Sequence, residues 1–294
     1  MSQSALVTGC SRGGLGDAMA QAFRKANVKV FATARDLNKI QHLKDIGCEV
    51  LLLDVTSESS IREAVSTITK LNNGRLDFLV NNAGRGKLLL TALMKGHTSP
   101  LSDISISDAR QTFEVNVLSV LAVSQAFLPL LIEAKGRVIN IGSIGGKASL
   151  SRYQGKWSNQ YCLGVYAASK AALNMMSETM RVELAPFGVH VITVIAGTIN
   201  DTPFYTNQPS LQIREGSIYS AIRDTIATTQ RGERLKVGAM SASDFAKGVV
   251  SNSMKPKPRL WFWHGGRTMA VWIITVFLPH TFLVRRRTRQ IIKY

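Results

Sequence analysis

Tyr166 and Lys170 are the residues of this chain best suited to proton chemistry. They stand four apart in Tyr166-Ala167-Ala168-Ser169-Lys170, and on a helix that spacing puts both side chains on one face. An ammonium beside a phenol favours the phenolate and lowers its pKa, so Tyr166 can exchange a proton with a carbonyl or alcohol near neutral pH. The same spacing also arises by chance on surface helices. The pair gains force from polar residues that precede it in order. Asn81-Asn82-Ala83-Gly84 follows an apolar strand, Asn116 lies in the next helix, and Ser143 comes just after another strand.

A second group suits a dinucleotide. Thr8-Gly9-Cys10-Ser11-Arg12-Gly13-Gly14-Leu15-Gly16 joins the first strand to the first helix. Glycines there let backbone approach a pyrophosphate, and the helix N-terminus offers unpaired N–H groups and a positive dipole end. An acid at the end of the second strand would bind a ribose 2′-hydroxyl, whereas arginine suits a 2′-phosphate. Arg35 holds that position and Arg12 lies in the glycine loop, so NADPH is the expected cofactor. The alternative for Arg35 is a solvated residue beside Asp36. Asp54-Val55 follows the third strand and is placed for the adenine, with helix capping as the alternative for Asp54.

These residues need a scaffold, and apolar periodicity supplies one. Strands are expected at residues 4–8, 28–34, 49–53, 76–81, 137–141 and 189–195. Helices are expected at 15–26, near 37–46, and at 61–71, 108–134 and 165–184. Alternation of this kind predicts an α/β fold, a Rossmann-type doubly wound parallel sheet with helices on both faces. Residues 200–238 read as a loop with one or two helices at the carboxyl edge of the sheet. Ser241-x-x-Asp244 opens a helix over 241–253. Lys255-Pro256-Lys257-Pro258 then divides a catalytic domain, residues 1–254, from a basic and apolar tail, residues 255–294.

The composition, 45% apolar and 19% charged over 294 residues, is that of a folded protein. Three scattered cysteines, Cys10, Cys48 and Cys162, suggest neither a disulfide framework nor a metal site, and fit a reducing compartment. The first apolar run, Ala5-Leu6-Val7, is too short for a secretory leader. The net charge is +17, and residues 255–294 carry nine Lys/Arg without an acid. No nucleic-acid motif accompanies that charge, so no nucleic-acid partner is expected. Residues 268–284 are mostly apolar, contain Trp272 and Phe277, are broken by Pro279, and precede Arg285-Arg286-Arg287 and Arg289. That pattern favours attachment to an anionic membrane surface over a transmembrane span or an oligomer-interface or core helix. The expected location is the cytosolic face of the endoplasmic reticulum or a lipid droplet. A homo-oligomer is also compatible with the sequence.

Taken together, the glycine loop, Asn81-Asn82-Ala83-Gly84, Asn116, Ser143, Tyr166 and Lys170 resemble the short-chain dehydrogenase/reductase family over roughly residues 4–205. The resemblance implies Tyr166 as acid/base and Lys170 as the residue that tunes it and binds the nicotinamide ribose. It implies that Ser143 holds the substrate carbonyl and that Asn116 supports a water and Lys170 in a proton relay. It places Gly9, Ser11, Arg12, Gly14, Leu15, Gly16, Arg35, Asp54, Val55, Asn82, Ala83, Gly84, Gly197 and Ile199, with Tyr166 and Lys170, around the cofactor. Thr-Gly-Cys-Ser-x-Gly-Gly-Leu-Gly and Phe31-Ala32-Thr33-Ala34-Arg35 look like a fungal subgroup that includes NADPH-dependent 1-acyldihydroxyacetone-phosphate reductases.

Four features depart from the family pattern. The glycine loop is one residue longer, so Gly13 and Gly14 compete for one role. Ala196-Gly197 replaces Pro-Gly, and Thr202 is displaced by one. Ser143 and Tyr166 are widely separated by an insertion at 151–160, and a second insertion lies near 87–98. The expected activity is NADPH-dependent reduction of a hydrophobic or lipid ketone, with acyl-dihydroxyacetone phosphate the most specific substrate. A secondary-metabolite or steroid-like ketone is the enzymatic alternative. A membrane-bound scaffold that lost turnover is the alternative of a different class.

Overall fold

The computed structural model describes residues 3–84, 100–147, 164–202, 215–220 and 238–278. Seven strands form one sheet: β1 (Ser4–Val7), β2 (Lys29–Ala34), β3 (Glu49–Leu52), β4 (Phe78–Asn81), β5 (Arg137–Ile141), β6 (His190–Ala196) and β7 (Trp261–His264). Their order is β3-β2-β1-β4-β5-β6-β7, and every neighbouring pair is parallel. Strands β1 and β4 are buried along their whole length, which requires cover on both faces. The chain reverses its direction of winding between β1 and β4, and the crevice above their carboxyl ends is where such sheets hold ligands.

Helices supply that cover. Helix α1 (Leu15–Lys25) puts Met19, Ala20 and Phe23 against the sheet and carries Asp17 in its first turn and Arg24 and Lys25 in its last, which suits the helix dipole. The short α2 (Gln41–Lys44) follows. Helices α3 (Glu58–Leu71), α4 (Ile106–Phe113), α5 (Ser119–Ala134) and α6 (Gly164–Leu184) come next in the chain. The last two among the described residues are α7 (Ala242–Met254) and α8 (Thr268–Phe277). Met19 and Phe23 of α1 pack with Phe245 and Val249 of α7 on one face of the sheet. Ile61 and Ile68 of α3, Phe127 and Leu131 of α5, and Met180 and Leu184 of α6 fill the other. Ser241 caps α7 by accepting the Asp244 N–H at 3.0 Å, as the Ser-x-x-Asp signal predicts.

The long apolar stretch Ile106–Ala134 has the length and composition of a membrane span. It is a core helix, because Val123, Phe127, Leu130 and Leu131 are buried against the sheet. It is also not one regular helix. A π-helical turn, Glu114–Leu118, separates α4 from α5. Periodicity alone does not show it, since one extra residue per turn barely changes the apolar pattern.

Two further differences from the sequence expectation have local causes. The helix expected near 37–46 is split into a 3-10 turn, Leu37–Lys39, and α2, because Ile40 leaves helical geometry at φ −127°. Strand β7 lies beyond the boundary expected at residue 254, and its pairing with β6 makes residues 261–264 part of the sheet rather than of a tail. Its aromatic residues are half-buried at the sheet edge. Of residues 200–238, only 200–202, 215–220 and 238 are described. The two insertions, Cys162, and everything from Pro279 onward lie outside the described residues.

Candidate active site

The crevice is built by three loops that leave the carboxyl ends of β1, β4 and β5, and by α6. The loop after β1 is stitched to its neighbours by backbone. Cys10 N–H donates to the Thr33 carbonyl at 2.8 Å and Arg12 N–H to the Lys39 carbonyl at 3.1 Å. Arg12 and Arg35 are therefore both exposed on one rim, at the end of β2. The Asp36 carboxylate is engaged elsewhere: it accepts the Asn38 N–H at 3.0 Å and lies 3.6 Å from the Lys39 ammonium. Arg35 is thus not neutralised by the acid that follows it.

Gly13 and Gly14 do not compete for one role. Gly13 turns the chain at φ +74°, and its N–H donates to Asp17 at 2.6 Å. Gly14 is the N-cap of α1, in extended geometry. Leu15 and Gly16 then open the helix, where the first N–H groups have no intrahelical acceptor. Gly16 is required by packing. A Cβ there would collide with the Gly9 carbonyl and come within 2.6 Å of Asn82 Nδ2.

The β4 loop locks this arrangement. Asn82 Nδ2 donates to the carbonyls of Thr8 at 2.9 Å and Gly9 at 3.2 Å, and Ala83 N–H donates to Thr8 Oγ1 at 2.9 Å. Asp54 accepts Thr56 N–H at 3.0 Å and Thr56 Oγ1 at 2.7 Å in a local turn, while the cap of α3 is Ser57, whose hydroxyl accepts the Ser60 N–H at 3.3 Å. Val55 beside Asp54 is buried.

The chemical residues converge at β5 and α6. Ser143 caps a 3-10 turn, Ile144–Gly146, by accepting the Gly145 N–H at 3.1 Å, and its hydroxyl is hydrogen-bonded to the Tyr166 phenol. A Cβ on Gly146 would lie 2.6 Å from the Lys170 backbone, so the bare glycine lets α6 rest directly on this turn. The 23-residue interval between Ser143 and Tyr166 therefore does not keep the two apart.

Lys170 is buried, and its ammonium donates to the Ile141 carbonyl at 2.8 Å. Burial lowers its pKa to about 8. Its Nζ lies 6.0 Å from the Tyr166 ring centre. Burial pushes the Tyr166 phenol above its ordinary pKa, and the Ser143 hydroxyl pulls it down. This corrects the sequence expectation that Lys170 supplies the downward pull, because its ammonium is directed to Ile141.

Asn116 is fully buried in the π-helical turn, and its Nδ2 donates to Ser169 Oγ at 3.0 Å. Ser169 Oγ in turn donates to the Tyr166 carbonyl at 2.7 Å. Gly84 faces both ends of this arrangement: a Cβ there would stand 3.5 Å from Asn116 Oδ1 and 3.9 Å from Lys170 Nζ. Sequence reading missed Ser169 as the joint between Asn116 and α6. The signal was the hydroxyl set between Tyr166 and Lys170.

On the far side, Gly197 approaches the chain that follows β7. A Cβ on it would collide with the Gly266 carbonyl and lie 2.7 Å from Thr268 Cγ2. Thr198 exchanges backbone hydrogen bonds with Gly266 at 2.8 and 3.0 Å, and Ile199 beside it is buried. Asp201 adopts a left-handed φ of +57°, and Thr202 is buried after it. Asp is a residue type that tolerates that region.

The sheet order, the glycine loop and the Asn116–Ser143–Tyr166–Lys170 cluster define a short-chain dehydrogenase. A short chain dehydrogenase family model matches residues 3–211. The chain belongs to that family and is an oxidoreductase. It is 38% identical to the short-chain dehydrogenase ptmH of Penicillium ochrochloron over 93% of each chain. It is 36% identical to the short-chain dehydrogenase cctT of Talaromyces islandicus over 98% of this chain and 96% of that one. Among solved structures, a short-chain dehydrogenase from Streptomyces avermitilis is similar at TM-score 0.74 and 26% identity, over 100% of this chain and 97% of that one. A metagenomic short-chain oxidoreductase in complex with NADP is similar at TM-score 0.55 and 29% identity, over 69% of this chain and 88% of that one.

Proposed function

We propose that this chain is an NADPH-dependent reductase of a hydrophobic ketone. The observation that carries the reading is the hydrogen bond between Ser143 and Tyr166, with Lys170 and Asn116 buried behind it. A carbonyl oxygen bound between the two hydroxyls would receive a hydrogen bond from Ser143 and a proton from the Tyr166 oxygen. The Asn116–Ser169 link holds the Tyr166 backbone at that point. The scaffold reading is disfavoured, since all four groups are in place.

The cradle fits a dinucleotide. Gly16 lets the start of α1 pack directly on the Gly9 loop, and Leu15 and Gly16 would present N–H groups to a pyrophosphate there. Arg12 and Arg35 would hold a 2′-phosphate, and the similarity to an oxidoreductase solved with NADP supports that preference. When bound, the cofactor supplies the hydride. Asn82, Ala83, Gly84, Gly197 and Ile199 would line the path between its two ends.

Two substrate classes fit equally. One is an acyl-dihydroxyacetone phosphate, and the other is a secondary-metabolite or steroid-like ketone. The fungal relatives are compatible with either. The test is a panel of both classes with NADPH and NADH, run on wild type and Tyr166→Phe. Oxidation of NADPH by wild type, lowered on the order of 100-fold or more in Tyr166→Phe, is expected. NADPH binding without turnover across the panel would sink the reading. Equal use of both cofactors would remove the role given to Arg12 and Arg35.

A further inference from the structure

We infer that helix α8 is a lipid-docking surface that seats the active-site rim on an anionic bilayer. Only Thr268 and Val271 of this ten-residue helix are buried. Met269, Trp272, Ile273, Val276 and Phe277 are all exposed, and Met269 and Phe277 are each 67% accessible. The Trp272 and Phe277 rings meet edge to face, 6.1 Å apart, on this outer side. Residues 268–278 contain no charged side chain. An unbroken apolar face of this kind is unusual on a soluble surface and marks a contact with another phase or partner.

Length and charge select the occupant. Ten residues extend about 15 Å, half of the hydrocarbon thickness, so α8 by itself lies on a bilayer rather than crossing it. From Lys255 to Tyr294 the chain carries nine Lys/Arg and no acid. That sequence attracts an anionic lipid surface, whereas against a second copy it would face its own charge. Aromatic residues beside arginines are the composition of an interfacial helix.

The docking face is rigidly tied to the crevice. Thr268 Oγ1 donates to the Gly265 carbonyl at 2.9 Å, and Gly266 is hydrogen-bonded to Thr198 in both directions. Gly197 and Ile199 share that segment. A bilayer under α8 therefore lies beside the Gly197–Ile199 segment that follows β6. Delivery of a membrane-dissolved ketone to Tyr166 rests on the function proposed above, while the docking itself does not.

The test is flotation of the full-length protein with vesicles of phosphatidylcholine alone or mixed with phosphatidylserine. NADPH oxidation of a water-soluble ketone without vesicles is assayed in parallel. Wild type should float with the anionic vesicles and release as salt rises. The double variant Trp272→Glu/Phe277→Glu should bind at least about tenfold less and keep its turnover. Quenching of tryptophan fluorescence by brominated lipid should shrink in Trp272→Phe, a change that leaves the fold intact. The idea is overturned by wild type that does not float, by quenching unchanged in Trp272→Phe, or by a double variant that floats as well as wild type. It is also overturned if the double variant dissociates a dimer while flotation is unchanged. Absence of turnover with flotation intact would strike only the proposed function.

Discussion

Lys170 is the residue whose burial makes the sharpest prediction. Its folded pKa, about 8, lies below the ordinary 10.5. Between those values the unfolded chain binds a proton that the folded chain does not, so this group makes stability rise with pH across that window. The full contribution is roughly 3 kcal/mol, from a shift worth about 1.4 kcal/mol per unit. Tyr166, shifted upward, acts in the opposite sense only above its ordinary value of 10.0. Denaturant unfolding at pH 8, 9 and 10 should give wild type a steeper rise than Lys170→Met, and parallel profiles would contradict the assignment. Gly16 makes a steric prediction of similar clarity. Gly16→Ala presses a methyl group onto the Gly9 carbonyl and Asn82, at a cost of about 1–3 kcal/mol. Titration should show NADPH affinity weakened by about tenfold or more, since the loop must open where the pyrophosphate sits. Cys10 and Cys48 are free and buried, and burial raises both thiols, so neither is a nucleophile.

At the scale of elements, the π-helical turn between α4 and α5 sets the position of Asn116. Turns of this kind recur at functional sites because they re-aim one side chain without breaking the helix. Here the result is the bond to Ser169, and through it a hold on the first turns of α6. Deleting Val117 would let the segment close as a regular α-helix and rotate Asn116 away. Circular dichroism should be nearly unchanged while kcat falls on the order of 100-fold, the usual effect of a small misplacement of catalytic groups. Unchanged kcat would show that the turn is only a packing feature. Beneath the site, Asn81 Nδ2 donates to Asn140 Oδ1 at 2.9 Å and to Ser124 Oγ at 3.0 Å, and Asn140 Nδ2 donates to Ser177 Oγ at 2.9 Å. This buried network joins α5 to α6 through the sheet, so the elements bearing Asn116 and Tyr166 move as one. Asn81 was legible as part of a motif, whereas Asn140 was not singled out. Their partners were not legible, because Ser124 and Ser177 look like ordinary helical serines until the sheet brings them together.

For the whole molecule, the end of the folded domain is the point at which sequence and structure differ most. A break at residue 254 follows from the prolines and the change of charge, yet β7 continues the sheet and Gly266 backs Gly197. A chain ending at residue 254 should lose its cooperative thermal transition, because it exposes the edge of β6 and removes the support of Gly197. A chain ending at residue 278 should keep that transition. Two cooperative melts at similar temperature would mean that β7 is dispensable.

The alternation of strands and helices, the glycine loop and the order of Asn116, Ser143, Tyr166 and Lys170 were determined by the sequence alone. They rest on local rules: apolar period, glycine geometry and the spacing of one helical face. Tertiary structure alone decided that Ser143 meets Tyr166 across a 23-residue interval, that Lys170 bonds Ile141, and that β7 belongs to the sheet. These are contacts between segments far apart in the chain. Their energies depend on what burial excludes and on what backbone comes within reach, and neither is written in the residues one at a time.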